Sequence, residues 1–203
     1  RTWEYGQHQG RPYFTMELLH GRTLGAIVRT EGPMATDRAI HLFIQACRGL
    51  GAAHVAGAVH RDVKPDNLFV VEPGQRLKVM DFGIAKAQER ALAHSATGLV
   101  LGTPAYVAPE RVVDDAVATA SSDLYSLGVT LFEALTGRPP FHDKNVTRLL
   151  MRIAGEAPPD PRTLRPGLPA GLATLVVELL SKDPATRPSS AEALELRLLA
   201  LLP

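Results

Sequence analysis

Disulfide-forming cysteine, long apolar runs and a strong net charge are all missing from this sequence. A single cysteine, Cys47, among 203 residues excludes an internal disulfide framework and suits a reducing compartment. No run approaches the roughly eighteen apolar residues that cross a bilayer, and no signal peptide opens the chain. A formal net charge of +1 gives no electrostatic footprint for nucleic acid. We therefore expect a cytoplasmic segment with no nucleic-acid partner and no membrane contact of its own, although a parent protein could be anchored elsewhere.

Two short apolar runs, at residues 68–71 and 77–80, form the pattern around which the sequence is organised. A Pro-Gly turn signal separates them, so we predict an antiparallel hairpin. Such a hairpin places Asn67, before the first run, at the same end as Asp81, after the second. Amide and carboxylate oxygens are hard ligands of the kind that Mg²⁺ accepts, with water and phosphate oxygens completing the octahedron. Asp62 would lie beside this metal without necessarily binding it.

Three motifs in this order resemble those of eukaryotic-like (Hanks-type) serine/threonine protein kinases, of the bacterial type. The run His-Arg-Asp-Val-Lys-Pro-Asp-Asn at residues 60–67 resembles the catalytic loop of that family. Asp-Phe-Gly at residues 81–83 resembles its metal loop, and Ala-Pro-Glu at residues 108–110 resembles the end of its activation segment. One such tripeptide would mean little, whereas three in the family's order and spacing indicate kinase ancestry.

The resemblance implies a role for each polar residue of these motifs, with ATP and Mg²⁺ as cofactors. Asp62 would accept the proton of the substrate hydroxyl, while Asn67 and Asp81 would hold the magnesium ion. Lys64, typical of serine/threonine kinases at this position, would place positive charge where negative charge builds on the phosphoryl group. Thr103 would hydrogen-bond toward Asp62 and Lys64 and help to orient the substrate hydroxyl. Proteins that carry Ser or Thr hydroxyls are the expected substrates.

An adenine site is implied at the start of the chain. Residues 13–19 have the pattern of a buried strand, which in the family leads into the hinge between two lobes. Met16 would be the gatekeeper beside the adenine pocket, the backbone of Glu17 and Leu19 would bond the adenine edge, and Phe69 would lie beneath the ring. Taken alone, the segment is more typical of a plain core strand, and only the later motifs favour the hinge.

Regulatory residues are implied within the activation segment, residues 81–110. Ser95 and Thr97 lie where bacterial relatives carry phosphorylated hydroxyls. A phosphate there would add nearly two negative charges for Arg61 to bind. The alternative is that Ser and Thr are simply common in loops.

Five further residues are implied to have structural roles. His60 and Phe82 would pack together in an internal spine, and Arg187 would form a buried ion pair with Glu110. Asp123 would bond the backbone of the catalytic loop, although by pattern alone it is equally a helix N-cap.

Apolar residues at helical spacing predict a set of helices around these motifs. Thr23 and Thr36 are the predicted N-caps of the first two, Cys47 is expected in the core, and His54 is expected to pack at a helix end. The predicted helices cover residues 24–30, residues 36 to about 56, and residues 124–136, 143–154, 170–180 and 189–201.

The expected fold class is α+β: a protein-kinase-like fold with a mainly α-helical large lobe and a catalytic β-hairpin, and with most of the small lobe absent. Residues 1–19 would be the end of the small lobe and the hinge, and residues 20–203 the large lobe. The sequence contains no Gly-x-Gly-x-x-Gly and no lysine before Lys64, and it does not start with Met. We therefore expect a kinase domain cut at its N-terminal side and inactive alone.

Two alternatives to a protein kinase stay open at this point. The first is a non-catalytic orphan kinase lobe that binds partners, but a scaffold has no need of Asp62, Lys64, Asn67 and Asp81 together. The second is a small-molecule phosphotransferase, which the kinase-like residues 102–104 and 108–110 and Arg187 disfavour. Dimerisation of the parent protein is open as well.

Overall fold

The computed structural model describes residues 2–9, 11–73, 75–82, 104–113 and 117–202. Its strands are β1 Thr2–His8, β2 Arg11–Met16, β3 Gly21–Thr23, β4 Leu68–Val71 and β5 Arg76–Val79. Its helices are α1 Leu24–Glu31, α2 Thr36–Val55, α3 Pro109–Val113, α4 Ala120–Thr136, α5 Val146–Gly155, α6 Ala170–Leu179 and α7 Ala191–Leu199. Short 3₁₀ turns lie at Pro65–Asn67, Pro104–Tyr106, Pro161–Thr163 and Pro184–Thr186.

The predicted catalytic hairpin is present as β4 and β5. Leu68 lies opposite Val79 and Val70 lies opposite Leu77, in antiparallel register. Leu68, Val70 and Leu77 are buried, so one face of this hairpin belongs to the core. The sequence analysis missed β3, which pairs with β4 on its other side, because three residues are too few to show a period.

Gly21 in β3 lies so close to β4 that only glycine fits. A Cβ atom at this position would lie 2.0 Å from the carbonyl oxygen of Val70. The φ angle of Gly21 is +147°, which side chains of L residues rarely adopt. This contact fixes how the chain enters α1 beside the catalytic hairpin.

The strand expected at residues 13–19 is shorter than predicted and is not buried. It spans Arg11–Met16 and pairs with β1, the one strand beside it in the described part of the chain. Tyr13 is 41% exposed, Met16 49% and Leu18 80%. The prediction of burial was wrong because an apolar run indicates a strand, whereas its burial depends on which elements cover it.

Several helix ends follow the sequence, but the predicted N-cap of the second helix was wrong. The Thr23 side chain accepts a hydrogen bond from the Ala26 amide at the start of α1, as predicted. Thr36 is the first residue of α2 and not its cap, since no side chain caps that helix. Thr119 caps α4 in a capping box with Ser122, so the possibility that Asp123 is the N-cap is excluded.

The core is centred on α4, which is buried nearly all round. Leu124, Leu127, Leu131 and Leu135 on this helix are at most 1% exposed, and α4 packs against α1, α2 and α6. Cys47 on α2 joins the same core, as predicted, and burial raises the pKa of its thiol to about 12. The buried α4 also contacts the loop at residues 60–67, through hydrogen bonds that Asp123 accepts from the His60 and Arg61 amides. None of the helices in the described ranges is both long enough and apolar enough to cross a bilayer.

Candidate functional site

The loop at residues 60–67 is held in place by a buried carboxylate on α4. Asp123 is 1% exposed, and its two oxygens accept hydrogen bonds from the backbone amides of His60 and Arg61, each at 2.8 Å. Arg61 has a φ of +71°, a conformation that costs a non-glycine residue free energy unless its surroundings hold it. Asp123 therefore fixes the turn that presents Asp62.

His54 completes the surroundings of Asp123, which the sequence analysis did not foresee. Its Nε2 atom lies 2.8 Å from Oδ2 of Asp123, and its side chain is 11% exposed. The expectation of simple helix-end packing therefore omitted a polar contact across 69 residues of sequence. No local signal could have shown it, because the two residues meet only through the packing of α2 on α4.

Asp62 is the centre of a small polar network within the loop. Its Oδ2 atom accepts hydrogen bonds from Lys64 Nζ at 2.7 Å and from Asn67 Nδ2 at 3.0 Å. Asn67 Nδ2 also donates to the backbone oxygen of Asp62 at 2.7 Å. The Asp62 side chain is 39% exposed. Among the residues that the structure describes, Oδ2 accepts both side-chain hydrogen bonds and Oδ1 accepts none, so Oδ1 is the oxygen that could meet a substrate hydroxyl.

Asn67 and Asp81 lie at the same end of the hairpin, as predicted from the sequence. The Met80 amide donates to the Asn67 carbonyl at 2.8 Å, which extends the ladder to the residue just before Asp81. Both side-chain hydrogen bonds of Asn67 are made by Nδ2, so its Oδ1 oxygen is available as a ligand. Asp81 is exposed, with a φ of +62°. This donor set, one amide oxygen and one carboxylate, fits Mg²⁺.

His60 and Phe82 pack against each other, as the resemblance implied. The ring centroids are 4.5 Å apart at an interplanar angle of 57°. His60 is fully buried, with Nε2 2.7 Å from the Met80 carbonyl and Nδ1 3.3 Å from the Asp62 amide. A neutral imidazole that donates from Nε2 and accepts at Nδ1 satisfies both contacts. Both ring nitrogens are thus engaged within the protein, and neither is available for proton transfer.

The ion pair between Glu110 and Arg187 is present and bidentate. The two nitrogen–oxygen distances are 3.0 and 2.8 Å, and the Arg187 side chain is fully buried. Burial by itself raises the pKa of Glu110, but the hydrogen bonds from Arg187, a backbone amide and Ser122, together with the charge of Arg187, outweigh burial, so the pKa lies below its ordinary value. The Arg187 guanidinium also lies 5.0 Å from the ring centroid of Tyr125. This pair ties the end of the activation segment to the loop after α6.

Of the residues suggested for adenine, Met16 ends β2, Glu17 and Leu19 lie between β2 and β3, and Phe69 lies on β4. Phe69 is half-buried on the side of β4 opposite the core residues Leu68 and Val70. Lys78, directly across from Phe69 on β5, forms an ion pair of 2.6 Å with Glu17. The sequence analysis missed this contact, which fastens the proposed hinge to the strand that leads to Asp81. Met16 and Leu19, at positions expected for the gatekeeper and the adenine edge, are exposed and half-buried respectively.

Four of the residues singled out in the sequence fall outside the described part of the chain. These are Gly83 of the metal motif, the suggested phosphorylation sites Ser95 and Thr97, and the substrate-orienting Thr103. The carbonyl oxygen of Arg61, the suggested partner of phosphates on Ser95 and Thr97, accepts a hydrogen bond of 3.5 Å from Arg111.

Comparisons with known proteins identify the family of this chain. A family model described as "Protein kinase domain" matches residues 1–199. The serine/threonine-protein kinase Pkn1 of Myxococcus xanthus is 39% identical over 186 residues, which cover 90% of this chain and 26% of Pkn1. PknB of Mycobacterium tuberculosis, also named a serine/threonine-protein kinase, is 41% identical over 181 residues, which cover 89% of this chain and 29% of PknB. The chain thus spans less than a third of the length of either relative.

Solved structures show the same fold. Rad53 residues 1–466 in complex with AMP-PNP match 96% of this chain and 48% of that protein, with a TM-score of 0.80 and 25% identity. The PknI kinase domain of Mycobacterium tuberculosis matches 98% of this chain and 70% of that domain, with a TM-score of 0.75 and 23% identity. The predicted fold class is confirmed: a helical large lobe with few strands, built as in protein kinases.

Proposed function

Because this chain belongs to the protein kinase domain family, with bacterial serine/threonine kinases among its relatives, we propose that it is the catalytic lobe of a serine/threonine kinase. The protein that contains it would transfer the γ-phosphoryl group of ATP to Ser and Thr hydroxyls of other proteins. The observation that supports this most is the Asp62 carboxylate, held by Lys64 and Asn67 with one oxygen left free. A scaffold gains nothing from such an arrangement.

Each residue of the network has one task in the proposed reaction. Asp62 Oδ1 receives the proton of the attacking hydroxyl, and the hydrogen bonds at Oδ2 keep the carboxylate oriented. Lys64 faces the phosphoryl group with its remaining N–H bonds and offsets the charge that develops there. Asn67 Oδ1 and the Asp81 carboxylate would hold Mg²⁺, which supplies charge neutralisation at the phosphates when bound. Phe69, Met16, Glu17 and Leu19 would hold the adenine of ATP.

The regulatory part of the proposal rests on the resemblance. Ser95 and Thr97 would be phosphorylated and bound by Arg61, and Thr103 would help to orient the substrate. Residues 1–19 would be the end of the small lobe and the hinge, and residues 20–203 the large lobe. A cytoplasmic location suits the single buried thiol of Cys47.

We expect the 203-residue chain by itself to transfer phosphate negligibly and to bind nucleotide weakly. Protein kinases cover the phosphates with a Gly-rich loop and hold them with a lysine on the third strand of the small lobe. This sequence contains no Gly-x-Gly-x-x-Gly and no lysine before Lys64. Half of the phosphate cradle is therefore absent from these residues. A robust signal from the purified chain in a radiolabelled-phosphate assay would contradict this expectation.

A chimera tests the proposed function directly. The small lobe of a relative such as PknB would be joined before Arg1, and transfer of ³²P from ATP to a Ser/Thr protein substrate would be measured. We expect magnesium-dependent transfer that Asp81→Asn abolishes and that Asp37→Asn, the same change at an exposed position on α2, leaves unchanged.

Two outcomes of the chimera experiment would contradict the proposal. The first is a folded chimera that binds ATP yet transfers no phosphate, which would favour the orphan lobe that binds partners. The second is transfer that survives Asp81→Asn, which would refute the assignment of Asp81 as a metal ligand.

A further inference from the structure

A surface cavity of about 240 Å³ lies beside the C-terminal end of α4. It is bounded by the segment that follows α4, by the last turn of α5 and by the loop after α5. Asp123, which holds the catalytic loop, lies in the first turn of α4, at the opposite end of the helix. None of the residues that line the cavity belongs to the proposed kinase site. The cavity is therefore a separate feature of the fold.

The walls of this cavity are apolar and rigid. Pro139 and Pro159 line it, together with Leu164, which is 37% exposed. The rings of Phe132 and Phe141 form its base and are at most 1% exposed. Prolines and buried rings have little freedom left to lose when a ligand binds. Because a dry cavity of about 150 Å³ holds benzene, a cavity of about 240 Å³ is large enough for a bicyclic ring.

One guanidinium is fixed at the wall of the cavity. Nε of Arg152 donates to the two carboxylate oxygens of Glu156 at 3.0 and 2.9 Å, and Nη1 donates to the His142 carbonyl at 2.8 Å. Arg152 and both of its partners line the cavity, so these contacts hold the guanidinium against the space that a ligand would enter. Its Nη2 atom donates to no acceptor in the described part of the chain.

A second arginine gives the lining one net positive charge. Arg138 is exposed and lines the cavity, and no described residue accepts a hydrogen bond from its side chain. The ion pair at the end of α5 is neutral, so the charge of Arg138 is not balanced within the lining. The acidic residues next to the lining in sequence are engaged elsewhere, since Asp143 lies 3.4 Å from Arg148 and Asp160 lies 2.7 Å from Arg162. Charge complementarity therefore favours a ligand with a single negative charge.

We propose that this cavity binds a small apolar carboxylate. The apolar body of the ligand lies against the two prolines and Leu164, and its carboxylate accepts hydrogen bonds from Arg138 and from Nη2 of Arg152. A planar guanidinium matches the geometry of a carboxylate. A monoanion suits the single net charge of the lining, whereas a phosphate dianion would bring a second, uncompensated charge against apolar walls. The site is independent of phosphoryl transfer and uses none of its residues.

The test uses the 203-residue chain and two probes of the same shape, indole-3-carboxylate and the neutral indole-3-carboxamide. Each is titrated into the isotope-labelled chain, and binding is followed by NMR chemical shifts. For a ligand of about twelve non-hydrogen atoms, we expect a dissociation constant of roughly 0.1 to 1 mM for the carboxylate. The carboxamide should bind at least about fivefold more weakly, because it cannot form charge-assisted hydrogen bonds as an acceptor carboxylate does. The shifted amides should lie within residues 138–142 and 152–164.

Variants at exposed positions make the test stricter. Arg138→Gln should weaken binding of the carboxylate at least about fivefold and leave binding of the carboxamide unchanged. Arg148→Gln, the same change on α5 at an exposed residue outside the lining, is the matched control and should alter neither. Leu164→Glu should weaken both probes, because it removes an apolar wall.

Three results would overturn the proposal. The first is that the carboxylate does not bind, or binds no more tightly than the carboxamide. The second is that Arg138→Gln and Arg148→Gln have the same effect. The third is that the shifted amides lie at residues 16–19 and 67–69, which would place the probe in the proposed nucleotide site.

Discussion

Asp62 is the residue on which the proposed chemistry depends, and its environment separates catalysis from binding. Its Oδ2 atom is fixed by Lys64 and Asn67, and Oδ1 accepts no hydrogen bond from the described residues. An amide in its place keeps the shape of the side chain but removes the proton acceptor.

We therefore expect Asp62→Asn to slow turnover of the chimera about 10²- to 10⁴-fold, with the dissociation constant for nucleotide nearly unchanged. Steady-state kinetics and nucleotide titration measure the two effects. If turnover and nucleotide affinity fall by the same factor, Asp62 acts in binding.

His54 is the residue whose importance only the structure reveals. Replacing it by glutamine keeps a polar group but moves the donor away from Asp123 Oδ2, which is buried. We expect His54→Gln to lower the free energy of unfolding by about 1 to 3 kcal/mol and to reduce kcat of the chimera more than KM, because Asp123 holds the loop of Asp62. His41→Gln on the same helix, at an exposed position, is the control for thermal melts. If the two variants behave alike, His54 has no positioning role.

At the scale of elements, the contact between α4 and α6 depends on the absence of a side chain. A Cβ atom added at Gly128 on α4 would lie 2.6 Å from the Cβ of Leu179 on α6. Gly51 on α2 offers the opposite case, because its added Cβ would lie 3.6 Å from that of Ala191, an ordinary contact.

We expect Gly128→Ala to destabilise the chain by about 1 to 3 kcal/mol because it pushes two helices apart. Gly51→Ala should instead stabilise it by up to about 1 kcal/mol through the helix propensity of alanine. Urea unfolding of both variants checks the signs. If both variants shift the free energy of unfolding in the same direction, the packing of α4 on α6 adjusts freely.

The ion pair between Glu110 on α3 and Arg187 joins two elements far apart in sequence. We expect Arg187→Met to cost about 3 to 5 kcal/mol, since it leaves the largely buried Glu110 carboxylate without its counter-ion, and the double variant Arg187→Met with Glu110→Leu to recover much of the loss. The folded pKa of Glu110 lies below its ordinary value of 4.5. The stability that the pair provides is therefore fully present above pH 4.5 and is lost as pH falls through the lower folded pKa. In acid unfolding experiments, the Glu110→Gln variant should not show this loss of stability at low pH.

For the molecule as a whole, exposed apolar residues near the hinge should limit solubility. Leu18 is 80% exposed, Tyr5 70%, Met16 49% and Phe82 41%. Exposed apolar side chains promote association where they lie together. We expect Leu18→Gln to raise the soluble fraction without changing the melting temperature. Concentration series by light scattering measure this effect, and unchanged association would show that another surface is responsible.

Sequence alone determined the parts of this protein that depend on neighbours along the chain. The hairpin of β4 and β5, the cap at Thr23 and the end of α4 at Gly137 follow from turn chemistry and periodicity. The motif spacing also placed Asn67 and Asp81 at one end of the hairpin, because strand pairing fixes the register.

Tertiary structure alone decided which residues meet across long stretches of sequence and which faces are covered. His54 reaches Asp123, and Glu17 reaches Lys78, only because helices and strands pack in one arrangement. The exposure of β2 likewise depends on what lies against it and not on its own apolar pattern. Local interactions specify where an element begins and ends, whereas burial and long-range polar contacts depend on the packing of all the elements together.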